Sequence, residues 1–128
     1  MEELIEKIKS STPLSIEAEE YFISISRKRA VPKGSTLLRQ GHTVSKIYFV
    51  TSGCLRSYCT DKNGKEHTLQ FAIRNWWISD YIAIHTNELA TLTIESLKES
   101  SVIEFNTKDL DNMFARFPEY EPFQRHTL

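Results

Sequence analysis

Residues able to do chemistry are scattered along these 128 residues, not clustered. The densest group is Trp76-Trp77 with Tyr81 and His85. These side chains would line an apolar pocket with a polar edge. They serve equally as packing, one tryptophan in the core and the other over a short helix, because large aromatics bury area first. Cys54 and Cys59 are five apart, so on a continuous strand they face opposite sides and suit neither a shared metal nor a disulfide. They read as structural thiols. His42, His67, His85 and His126 lack metal-ligand spacing such as HExxH, and a structural zinc site usually takes four Cys or His ligands. Arg56 and His67 fall on facing strand candidates and would either line a common interior or sit exposed. Asp61, Glu66, Asp80 and Glu88 lie in turns and at strand ends, the usual place for solvated carboxylates. No nucleophile, base and orienting group can be named together, and there is no GxSxG, P-loop or dinucleotide fingerprint. The chain does not read as an enzyme.

The elements that must position these residues follow from periodicity. Residues 1–27 read as helical: Leu4, Ile5 and Ile8 recur at helical spacing, and Ser11-Thr12-Pro13-Leu14-Ser15 interrupts. Ser15 is a plausible N-cap for a second helix carrying Phe22 and Ile25. From Lys28 the period changes. All four glycines, Gly34, Gly41, Gly53 and Gly64, fall between Pro32 and Gly64, where a backbone turning between short apolar runs needs positive φ or close approach. Strand candidates are Arg29–Val31, Thr36–Arg39, Lys46–Thr51, Cys54–Thr60, Lys65–Ala72, Ala90–Ser96 and Ser101–Phe105, the pattern of a sandwich, barrel or roll. Asp61-Lys62-Asn63-Gly64 predicts a type I′ hairpin turn. Between the strands, Ser79-Asp80 is placed to cap a short helix through Tyr81, Ile82, Ala83 and Ile84. Thr107 is expected to cap a later helix bearing Leu110, Met113, Phe114 and Phe117, which Pro118 stops.

Length predicts one domain with its own core. Sixteen basic residues against seventeen acidic argue against a dedicated nucleic-acid binder. No apolar run approaches a membrane span, and Met1-Glu2-Glu3 does not open a signal peptide. The expectation is a cytoplasmic domain with no membrane partner.

The order helix, about eight short strands with a small helix inserted late, then helix, resembles the cyclic-nucleotide-binding domain of the Crp/Fnr family of bacterial transcription regulators. The residues that carry the resemblance are the Pro32-x-Gly34 turn, Gly41 seven residues later, Ile47-Tyr48-Phe49-Val50, Ser52-Gly53, Asp61-x-Asn63-Gly64-Lys65 and Phe71. It spans roughly residues 13–117. It implies a mainly β fold with flanking helices, a double-stranded β-helix or jelly-roll-like β-roll closing over a small-molecule effector. Residues 1–27 would be N-terminal helices, 28–106 the roll with its inserted cassette helix, and 107–128 C-terminal helices.

In that family the cassette binds the cyclic phosphate. A Gly-Glu pair opens it, the Glu holding the ribose hydroxyl, and an Arg ten residues on, followed by Ser or Thr, neutralises the phosphate. The resemblance puts Ser79-Asp80 on the Gly-Glu pair, with Tyr81 next, Ala90 in the arginine's place and Thr91 on the hydroxyl. Arg56, His67 and Trp77 are further pocket candidates. Ala90 cannot replace a guanidinium, and each charge-assisted bond forgone is worth about 1.5–3 kcal/mol. That is about 10–150-fold in affinity. cAMP and cGMP are therefore not expected to bind in the family's manner. An iron–sulfur sensor of the kind one branch carries needs more cysteines than two.

The family continues into a dimerisation helix and a helix-turn-helix. Pro118-Glu119-Tyr120-Glu121 would begin that helix, and these residues contain no recognition helix, so this chain alone is not expected to bind DNA. A longer protein would form a homodimer through it, and an unpaired apolar face on Tyr120, Phe123 and Leu128 is expected to favour association. The reading is an effector-sensing domain with an altered pocket and no assigned cofactor or metal. The alternative is an interaction or assembly domain that keeps the roll as a scaffold.

Overall fold

Alternation of side chains along two central strands decides the layout. In a computed structural model describing residues 1–128, helices α1 (Glu2–Ser11) and α2 (Ile16–Ile25) precede strands β1 (Arg27–Val31), β2 (Thr36–Leu38), β3 (Lys46–Ser52), β4 (Leu55–Thr60), β5 (Glu66–Ala72) and β6 (Trp77–Ile78). Then come α3 (Tyr81–Thr86), β7 (Thr93–Ser96), β8 (Ser100–Asn106), α4 (Thr107–Arg116), a 3₁₀ turn at Pro118–Tyr120 and α5 (Glu121–Thr127). The strands form two four-stranded antiparallel sheets, ordered β1-β8-β3-β6 and β2-β7-β4-β5.

Strand β3 is buried on both faces. Successive strand residues point to opposite sides, and the two sets enter different cores. Ile47 and Phe49, with Ile103 and Phe105 of β8, pack on the helices against Leu4, Ile8, Phe22, Leu110, Met113, Tyr120 and Phe123. Tyr48 and Val50, with Val102, turn inward to fill the roll with Leu38, Leu55, Ala72, Ile78 and Ile94. One sheet thus serves as the shared wall of two cores.

Local rules account for most boundaries. Ser15 caps α2 by accepting the Ala18 amide at 3.1 Å, and α1 carries Glu2 and Glu3 in its first turn and Lys9 in its last, matching the helix dipole. Four expectations need correction. Asn106, not Thr107, caps α4, accepting the Lys108 amide at 2.9 Å. Only Gly64 takes positive φ in the Asp61–Gly64 hairpin (79°), so the turn is not type I′. The Asp61 carboxylate accepts both the Asn63 and Lys65 amides instead, a side-chain device that removes the need for a left-handed Asn63. Residues 90–92 lie outside β7, because Ala90 pairs through its backbone with Gly41 and His42. Finally, Tyr120 and Phe123 are not an unpaired face. Both are buried in the helix-side core, and the Tyr120 hydroxyl donates to the Ala18 carbonyl at 2.5 Å.

Candidate functional site

The short strand β6 delivers the chain to the cassette. Its two residues point to opposite cores: Trp77 packs on Phe49, Phe105 and Phe123, whereas Ile78 enters the roll. Ser79 follows, its hydroxyl donating to the Lys46 carbonyl at 2.7 Å. Asp80 is only 2% exposed. Its Oδ1 accepts the Ala83 amide at 3.0 Å and so caps α3. Its Oδ2 accepts the Thr91 amide at 2.7 Å and the Thr91 hydroxyl at 2.9 Å. Both carboxylate oxygens are committed to holding the two ends of the cassette together.

Ala90 is sealed from the other side. Its amide donates to the His42 carbonyl and its carbonyl accepts the Gly41 amide, both at 2.8 Å. This backbone pairing with the β2–β3 loop is why residues 90–92 do not run on as strand. The Ala90 methyl sits among the buried side chains of the roll core.

The other candidates lie elsewhere. Arg56 is on the outer face of its sheet, opposite Glu95 and the exposed Phe71. There it donates to Glu95 at 2.7 Å, Glu66 at 2.8 Å and Thr68 at 3.1 Å, with its guanidinium over the Tyr58 ring. Those carboxylates, Glu66 foremost, raise its pKa further. His67 is exposed and lies 2.9 Å from Asp61 Oδ2. That contact, helped by the Lys65 amide, holds the Asp61 carboxyl below its usual range. Arg56 and His67 therefore do not line the roll interior, and Trp77 is core. Tyr81 stands on the helix side of the cassette, packed against the helix-side core. Burial pushes its hydroxyl well above the usual tyrosine range. The sequence offered no signal for the Gly41 and His42 pairing, which depends on backbone atoms alone.

Chemically, the cassette keeps its shape and not its charge. A phosphate at α3 would meet a buried carboxylate with no guanidinium beside it. The first-turn amide of Ala83 is already used by Asp80. The anion would forgo the charge-assisted bonds that offset its desolvation.

The model of the cyclic nucleotide-binding domain matches residues 28–117, most of the chain. The chain belongs to the cyclic nucleotide-binding domain family. Among its relatives, the transcriptional activator protein FnrA of Stutzerimonas stutzeri is 30% identical over 95 residues, covering 74% of this chain and 38% of that protein. The fumarate nitrate reduction regulatory protein of Klebsiella oxytoca is 28% identical over 94 residues, 73% of this chain and 37% of that protein. The chain thus spans less than two-fifths of the curated relatives it matches. Among solved structures, the sensor domain of the transcriptional regulator DNR from Pseudomonas aeruginosa superposes with a TM-score of 0.77 at 18% identity, over 92% of this chain and 78% of that one. The Thermus thermophilus catabolite activator protein gives 0.71 at 20% identity, over 84% and 50%. These likenesses establish the fold: within the family, the chain is a β-roll of the kind found in such regulators, with flanking helices.

Proposed function

We propose that this chain is the effector-sensing part of a Crp/Fnr-type transcription regulator whose cassette no longer takes a cyclic nucleotide. The observation that carries the reading is the Asp80–Thr91 staple combined with Ala90 in the roll core. The carboxylate and hydroxyl on the family's ribose- and phosphate-binding positions bond to each other, and the third position is an apolar contact. Signalling would be a population shift between two placements of the cassette and the C-terminal helices. In a longer protein, dimerisation through a helix continuing from these would carry the shift to a DNA-binding part.

Calorimetry with cAMP and cGMP tests it. No saturable heat is expected at micromolar concentrations, and micromolar binding of either nucleotide overturns the reading. A second reading, a scaffold domain that binds no small molecule, draws support from the filled roll interior. It predicts that no effector alters the protein's stability.

A further inference from the structure

Glu104 is a charge held almost out of water, 5% exposed on the strand between β1 and β3. Its two oxygens face different cations. Arg29 of β1 donates to Oε1 at 2.9 Å, and the Lys46 ammonium of β3 lies 3.6 Å from Oε2. Arg27 stands directly opposite Glu104 in the β1–β8 register, and residues so paired share a face. Three cations therefore gather around one carboxylate. The pairing leaves donors over: a guanidinium carries five N–H groups and an ammonium three. Arg29 commits Nη1 to Glu104, and Lys46 at 3.6 Å is beyond hydrogen-bond distance.

Beside these heads lies a cavity of about 110 Å³, lined by Arg29 and Lys46 from the sheet and by Thr43, Val44 and Ser45 from the β2–β3 loop. The Arg29 and Lys46 side chains are 45% and 37% exposed, so a solute in the cavity reaches them. The Thr43, Val44 and Ser45 amides donate to no backbone carbonyl, and Thr43 and Ser45 add hydroxyls. No acidic side chain lines the cavity; Glu88 and Asp111 belong to a different cleft that shares the loop.

We infer that this cavity is a site for a small tetrahedral oxyanion of the phosphate type, held by Arg29, Lys46 and the 43–45 loop. The surplus of positive charge sets the sign of the ligand. Donors arriving from two strands and a loop suit four acceptor oxygens better than the two of a carboxylate. The volume exceeds the ~30 Å³ share of one water severalfold and falls well below the ~300–1,000 Å³ of pockets for larger ligands. The loop runs on from Gly41 and His42, which pair with Ala90, so an ion that orders residues 43–45 also steadies the far end of the cassette. The site does not depend on the proposed function.

Titration of the intact chain with inorganic phosphate, against sodium chloride at matched ionic strength, tests the site by amide proton–nitrogen NMR. Phosphate is expected to shift the Thr43, Val44 and Ser45 amides saturably at millimolar concentration, and chloride is not. Lys46→Gln leaves Glu104 its bond from Arg29 and should weaken phosphate about 10-fold, the low end for a charge-assisted bond because the lysine is partly solvated. Lys28→Gln removes the same charge from the opposite face of β1, where Lys28 pairs with Ile103, and should leave the affinity unchanged. Shifts that do not saturate, that chloride reproduces, or that both variants weaken equally mean diffuse attraction to a basic surface and overturn the proposal. Micromolar nucleotide binding would overturn the proposed function and leave this site standing, so the two readings fail separately.

Discussion

Asp80 does the work of three donors' worth of structure. It is buried, it caps α3, and it ties α3 to Thr91 eleven residues on. Asp80→Ala would strand the Ala83 and Thr91 amides and the Thr91 hydroxyl. Hydrogen bonds to charged groups contribute about 1.5–3 kcal/mol and orphaned donors cost about as much. Urea unfolding should therefore show a loss of about 2–4 kcal/mol. A carboxylate kept free for a ligand would give a change near zero, and that result would sink the staple. Ala90→Arg probes the neighbouring position. An arginine there must either displace the roll core or break the Gly41 and His42 pairing. A destabilisation of about 1–3 kcal/mol is expected from overpacking alone, with no gain of cAMP affinity by calorimetry. Nucleotide binding by that variant would mean the pocket lacks only its charge.

At the level of elements, all four glycine corners take positive φ, and they differ in how much they tolerate. Gly64 has φ of 79° with open space where a Cβ would sit, so Gly64→Ala should cost only the left-handed backbone, about 1–2 kcal/mol. At Gly53, φ is 92° and a Cβ would lie 2.6 Å from the Ser100 Cα. Backbone must move there, so Gly53→Ala should cost about twice as much or more. Equal unfolding midpoints for the two variants would contradict this. The glycine corners and strand runs were legible because turn chemistry is local. The assignment of Ser79, Asp80 and Thr91 to the family's Gly-Glu and hydroxyl positions rests on family likeness alone, whereas the bonds between Asp80 and Thr91 are seen in the structure. What stayed hidden depends on distant atoms. The Asp61 side chain relieves Asn63 of its positive φ, Gly41 and His42 turn residues 90–92 out of the strand, and α2 receives Tyr120 and Phe123. Whether Arg56 and His67 face inward or outward stayed open, because strand alternation does not say which face is the inside.

Across the whole molecule, the two cores share one sheet, and three tyrosines, Tyr48 and Tyr120 buried and Tyr81 half-buried, report on both. Tyr48 belongs to the roll core, Tyr120 to the helix-side core, and Tyr81 packs between cassette and helices. Burial, aided by the charge of Glu104, pushes the Tyr48 hydroxyl up to about 12. Burial also raises Tyr81 and Tyr120 above the usual tyrosine range. The sign follows from linkage. A folded-state pKa above the unfolded one means the unfolded chain loses its protons first as pH rises. The contribution is fully present below about pH 10, the ordinary tyrosine value, and is lost as pH climbs from there toward 12 and beyond. Because the β3 and β8 side chains alternate between the two cores, neither core can open without exposing the wall of the other. Alkaline titration should therefore show buried tyrosinate absorbance appearing in one cooperative step, coincident with loss of far-ultraviolet circular dichroism. Tyr48→Phe should leave that coincidence in place and remove one tyrosine's share of the step. Two separated transitions would instead mean that the helical layer and the roll unfold independently, and that the shared sheet does not couple the cassette to the C-terminal helices.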